Sequence, residues 1–224
     1  MTKKELIEAT IEKEWNMFHW VNGEVRADCQ EDWRTFVIMR RAQYMAWSEE
    51  AVASFFNDIC TAEAEGRNLS REKYIRMMKS TDPVTYEVFS KELPEVSEHK
   101  QALVDELWEK ILAQTVRMRK KYPILAMGGR PTYASEEQGW ASLETYQTSE
   151  SLTYSEKTLE ALLAHCSALE EQGIDLAFEI QKNTVTGLGF ENMDQAEAAM
   201  AKRLMQLAGK GNGCCSSAGN PDGF

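Results

Sequence analysis

Between residues 3 and 21, apolar side chains return every third or fourth position: Leu6, Ile7, Ile11, Met17, Phe18 and Val21, with Thr10 among them. An α-helix turns about 100° per residue, so these positions share one face. Thr2 and Glu5 stand ahead of that face at capping-box spacing. The loop VNGEVRADCQED follows, and a second helix begins near Asp32. Its stripe is Trp33, Phe36, Val37, Tyr44 and Trp47. Beyond Ser48 the stripe becomes Val52, Phe55, Phe56 and Ile59, rotated by roughly a quarter turn on the wheel. Ser48, followed by Glu49 and Glu50, has the form of an N-cap with an acidic first turn, which predicts a kink or break there.

The helical pattern continues. Gly66 ends the third segment, and Ser70 is placed to cap a short helix, REKYIRMMKS. Asp82-Pro83 opens another, with proline at the first helical position, and Pro94 closes it. Ser97 starts the clearest helix, with Leu103, Val104, Leu107, Trp108, Ile111, Thr115, Met118 and Tyr122 on one arc until Pro123 stops it. Residues 123–154 break the rhythm, carrying glycines and prolines and no long period; a segment of that length is either functional or packed irregular structure. Helices resume at Ser155, with Leu159, Leu162, Leu163, Cys166 and Leu169 inward and Gly173 as the stop. Ile174 to Val185 reads as another, and Asp194 with Glu197 as a capping box before the last. No strand alternation runs longer than a few residues. The fold class is all-α: an irregular multi-helix bundle with a long irregular segment near 123–154. A single helical domain is expected over 1–208, with a flexible Gly/Ser/Cys tail at 209–224.

Charge narrows the function. Thirty-six acidic residues against 25 basic ones give a net charge of −11, which opposes general binding to a nucleic-acid backbone. The basic run RMRKKY, 117–122, fits the last turn of a helix, where cations suit the dipole. No segment reaches the roughly 18 apolar residues of a membrane span, and the first residues lack an apolar signal core. Five cysteines without such a signal point to a reducing cytoplasm. Cys214 and Cys215 are weak metal or thiol-exchange candidates in the tail, but adjacent cysteines make an incomplete zinc site. His19, His99 and His165 lie off the apolar faces, as surface histidines do, and no phosphate-loop, dinucleotide or nucleophile-elbow motif occurs. These motifs leave the cofactor unknown.

Two polar positions stand out. Glu14 falls at the centre of the first helix's apolar arc, and Arg40 at the centre of the second's. A lone buried charge is very costly, so the two are expected to meet each other or a shared ligand. Gln43 lies on the same helix side as Arg40, and Arg26, Cys29 and Gln30 on the loop between the helices. In MGGRPTY, Gly128 and Gly129 form either a plain turn or a cradle for an anion, with Arg130 able to clamp a carboxylate or phosphate.

The stretches EWNMF, RADCQEDWRTFVIMRRAQYMAW, GRNLSREKYIRMMKSTDP, GGRP, SLETY and LTYSEKTL together resemble the bacterial family DUF4125, a domain of unknown function, over roughly residues 10–205. Val25 departs from the glycine often found in the family pattern. Motif positions matched by the resemblance include Glu14, Arg26, Cys29, Gln30, Arg40, Gln43, Arg130, Glu144 and Tyr146. Some family members carry a fused nucleotidyltransferase-like domain, which implies that kind of partner. Two readings follow. In one, the chain binds a small anionic or amide-bearing ligand, with Glu14 as a candidate acid/base and Arg26, Gln30, Arg40, Gln43, Arg130, Glu144 and Tyr146 as binding residues. In the other, it is a helical interaction module serving a separate catalytic domain, and the polar residues are structural pairs. A closed, mutually paired network favours the module; an open pocket with an unpaired arginine favours the binder.

Overall fold

A computed structural model describes residues 1–19, 21, 31–133 and 141–211. Arg26, Cys29, Gln30, Cys214 and Cys215 lie outside the described residues, as do Val25 and most of the expected tail. The described residues form eleven α-helices and no strand. They are α1 (Lys3–His19), α2 (Trp33–Ala46), α3 (Glu49–Ala64), α4 (Leu69–Thr81), α5 (Pro83–Phe89), α6 (Glu98–Lys121), α7 (Pro123–Met127), α8 (Leu143–Ser151), α9 (Glu156–Glu171), α10 (Leu176–Gly187) and α11 (Met193–Gly211), with a 3₁₀ turn at Ser90–Glu92.

Helix α3 is the central element. Its buried face, Val52, Phe55, Ile59 and Ala62, packs between α1 and α9. Helix α6 supports α9, α10 lies along α2 and against α6, and α4 pairs with α8. Tyr44, Trp47, Phe55 and Tyr154 form the aromatic centre, with Trp47 and Phe55 edge-on to Tyr154 at 5.8 and 4.9 Å. A smaller core of Tyr122, Val185, Met193 and Ala196 seats α7 and α11 beside it.

The helix ends follow local rules in most places. Thr2 and Glu5 make the reciprocal capping box, at 2.8 and 3.3 Å. The break at Ser48 is present: its hydroxyl accepts from Ala51 N–H at 3.1 Å, and Trp47 is extended. Lys3 donates to Met45 and Trp47 carbonyls at 3.1 and 2.6 Å, satisfying acceptors that the end of α2 leaves without helical partners. Gly66 and Gly173 adopt φ of +70° and +72°, the left-handed geometry of a helix stop.

Four expectations are corrected. Asn68, not Ser70, caps α4: its carbonyl accepts from Arg71 N–H at 2.9 Å, while its amide donates to Met17 O at 2.8 Å and so ties α4 to the end of α1. Residues 123–154 are not one irregular stretch, since α7 and α8 lie within it. Pro123 both ends α6 and begins α7. Glu197 does not box its own helix. It accepts from Ile124 and Leu125 N–H groups at 2.8 and 2.7 Å and so caps α7, while Asn192 accepts from Gln195 N–H at 2.9 Å at the start of α11. His165 is half-buried rather than a free surface residue; its Nε2 lies 2.8 Å from Ala46 O, at the end of α2. His19 is half-buried against Trp15, whereas His99 is exposed. The basic run ends α6 as expected, and its Arg119 also donates to Arg130 O at 2.6 Å and Thr132 Oγ1 at 2.8 Å.

Candidate functional site

Four helices deliver charges to one buried point. Helix α1 presents Glu14, whose neighbours on the same face are Thr10, Ile11 and Met17. Helix α2 brings Arg40, Gln43 and Tyr44. Helix α4 contributes Lys73 from a stripe that also buries Leu69 and Met77, and α8 contributes Glu150. Glu14, Arg40, Lys73 and Glu150 are each less than a tenth exposed.

One arginine nitrogen joins the carboxylates. Arg40 Nη2 lies 2.6 Å from Glu14 Oε1 and 2.5 Å from Glu150 Oε1. Its Nη1 donates to Gln43 Oε1 at 2.8 Å, and the guanidinium carbon sits 5.8 Å from the Phe36 ring centre. Tyr44 donates its hydroxyl proton to Glu14 Oε2 at 2.5 Å. Lys73 Nζ is 3.3 Å from Glu150 Oε1 and 3.6 Å from the centre of the Tyr146 ring. The two cations match the two carboxylates, so the cluster is neutral while all four are ionised, and each charge has an opposite partner in a medium that could not tolerate a lone one.

The two carboxylates respond differently. Burial raises Glu14 above the ordinary range, and Glu150 adds to the rise; Arg40, the Tyr44 hydroxyl and Lys73 oppose it. Burial acts on Glu150 too, but Arg40 and Lys73 outweigh it and bring its pKa down to about 2. Two cations hold Glu150, whereas Glu14 shares one. Burial works against the charge of Arg40 as well, and the two carboxylates more than offset it. One atom is left over: Glu150 Oε2 is buried and has no hydrogen bond. The space beside the network, bounded by Glu14, Lys73, Glu150 and Tyr154, is about 10 Å3, near the size of a single water molecule.

The other residues singled out from sequence divide. Arg130 stands 5.0 Å from the Tyr146 ring centre and donates to Ala141 O at 3.1 Å, so Tyr146 links it to Lys73 at the edge of the network. Glu144 lies in the first turn of α8, and its carboxylate makes no hydrogen bond or ion pair with the network among the described residues. Arg26 and Gln30 are not placed by the described residues.

Lys73 and Glu150 were missed. Lys73 carries the same mark as Arg40, a charge between apolar positions four residues away on either side, Leu69 and Met77. Glu150 had no such signal, because its neighbours Ser149 and Ser151 are polar and buried with it. Among the described residues, no group of three or more histidine, cysteine or acidic side chains could hold a metal ion. No described helix is long and apolar enough to cross a membrane.

Fold and site define an all-α multi-helix protein built around a buried network of four charges. The chain belongs to DUF4125, a family described as protein of unknown function, whose pattern matches residues 4–198 and so spans the whole network. Neither a curated protein nor a solved structure matches it.

Proposed function

We propose that the chain is a helical interaction module in which Glu14, Arg40, Lys73 and Glu150 lock α1, α2, α4 and α8 into one arrangement. The observation that carries this reading is mutual satisfaction: every charge meets an opposite charge within 3.3 Å, and the adjoining space is too small for an organic ligand. A buried ionic cluster adds little net stability over well-packed apolar groups, but it penalises arrangements that leave a charge unpaired. The proposed client is a separate catalytic domain of the nucleotidyltransferase kind, the association that the family resemblance implies. A reducing, cytoplasmic setting agrees with the free thiols of Cys60 and Cys166.

A second reading, in which the network binds a small anionic or amide-bearing ligand, has one observation in its favour. Glu150 Oε2 has an unused acceptor, and Tyr146 and Arg130 lie along one side of the network. The two readings separate with Arg40→Met/Glu14→Leu, which removes both ion pairs of Arg40 and leaves Glu150 with Lys73. Titration against the nucleotidyltransferase-like domain of a fused family member tests the module: binding retained by the folded double variant supports it. A thermal-shift screen against nucleotides, sugar phosphates and amino-acid derivatives tests the binder: stabilisation of the wild type that the folded double variant loses overturns the structural assignment.

A further inference from the structure

A larger opening lies beyond Tyr154. A groove of about 600 Å3 runs between α3, α4, α6 and the start of α9, within the size range of small-molecule sites. It shares Leu69, Thr153 and Tyr154 with the small space beside the network, yet its chemistry differs. Helix α3 is two-faced here. Its apolar stripe enters the core, while Ser54, Asn57, Asp58 and Thr61, spaced by three, one and three residues, line one groove wall with hydroxyl, amide and carboxylate groups.

The lining also carries cations. Arg67, Lys100 and Lys157 reach the groove from three different parts of the chain. Arg67 is held in place: its Nε and Nη2 donate to Glu72 at 2.8 and 3.0 Å, and its Nη1 to Glu65 at 2.9 Å. A guanidinium has five N–H donors, so a donor on each terminal nitrogen remains. Lys100 is half-buried, and its ammonium makes no hydrogen bond or ion pair among the described residues. Arg76 stands near enough to disfavour the Lys100 charge, and its buried Nε has no partner. Burial is the first cause that lowers Lys100, with Arg76 and Arg67 adding to it and Asp58 and Glu72 opposing it. Arg67 is thus already paired with Glu65 and Glu72, whereas no carboxylate is bonded to the Lys100 ammonium among the described residues. Nor is the end of α9 the attraction, because Asp58 already accepts from Ser155 N–H and Thr158 Oγ1 at 2.9 and 2.6 Å.

We propose that this groove binds a phosphorylated, hydroxyl-rich small molecule, its phosphate on Lys100 and Arg67 and its hydroxyls along Asn57 and Thr61. Asp58, committed to α9, and the exposed Glu50 at the rim disfavour a ligand with several separate anionic groups. The site is independent of the buried network and of the client that the network's module serves.

Calorimetric titration of the full chain with ribose 5-phosphate, inorganic phosphate and ribose tests the assignment. Ribose 5-phosphate should bind more tightly than inorganic phosphate, and ribose alone should give no heat. Lys100→Gln should weaken ribose 5-phosphate by about tenfold or more, a loss expected for a charge-assisted bond. Lys100→Arg should keep most of the affinity, and Lys91→Gln, on the exposed 3₁₀ turn, all of it. Far-UV circular dichroism melts confirm that the variants are folded; if Lys100→Gln is not, Lys157→Gln is read in its place and should weaken binding in the same direction. Absence of heat with both phosphates, equal affinity for them, or undiminished affinity in folded Lys100→Gln overturns the proposal.

Discussion

Arg40 holds Glu150 at 2.5 Å through the same nitrogen, Nη2, that holds Glu14 at 2.6 Å. Helices α1 and α8, distant in sequence, are thereby joined through a side chain of α2. Replacing Arg40 with methionine leaves one carboxylate without a cation and the other with Lys73 alone. The expected loss is about 3–5 kcal/mol in chemical denaturation, the range for removing one partner from a buried pair. Arg40→Met/Glu14→Leu should regain much of it, since Glu150 keeps Lys73. Additive losses in this double-mutant cycle would show that Glu14 and Arg40 are not coupled.

Acid should weaken the protein partly through Glu150. Its folded pKa is about 2, below the ordinary 4.5, because Arg40 and Lys73 outweigh burial. The unfolded chain therefore takes up this proton first. Glu150's contribution is complete above about pH 4.5 and disappears as the pH falls toward about 2. Glu14 has the opposite sign: its folded pKa is raised, so its contribution is complete below 4.5 and declines as the pH rises through the folded value. Denaturation of Glu150→Gln across the acid range should show a shallower pH slope than the wild type. Equal slopes would contradict the assignment.

Glu197 should matter to a helix other than its own. It accepts the Ile124 and Leu125 N–H groups at the start of α7. Glu197→Ala should cost about 1–2 kcal/mol, the scale of a lost N-cap. Hydrogen exchange localises the effect: amides 124 and 125 should lose protection before those in the middle of α11. Unchanged protection at both would remove the cap.

Gly187 sets the approach of α10 to α2. A Cβ there would stand 2.8 Å from Ile38 Cγ2, and the β-branched Ile38 has little rotamer freedom in a helix with which to withdraw. Gly187→Ala should destabilise by about 1–3 kcal/mol as an overpacked contact. Ile38→Ala in the same chain should cost less than it does alone, because the added methyl occupies part of the vacated space. A thermal melt of Gly187→Ala equal to the wild type would show that α2 and α10 adjust freely.

The sequence by itself determined the helices and most of their ends. Period, prolines, glycines and caps act within a few residues, so Thr2, Ser48, Asp82, Ser97, Ser155 and Gly173 could be read without knowing any neighbour. It also exposed Glu14 and Arg40, because a charge centred in an apolar stripe is anomalous within its own helix. Lys73 bore that mark and was open to the same argument. Tertiary structure alone decided the rest. Glu150 becomes buried because Arg40 and Lys73 reach it from other helices, and nothing in SESLTY marks that position. Glu197 fits its own helix as a capping residue, yet the packing of α11 beside α7 presents it with the Ile124 and Leu125 donors instead. The groove next to Tyr154 likewise arises where separate helices meet. Local rules act on neighbours along the chain, whereas a buried charge is stabilised by whichever partner folding brings within reach.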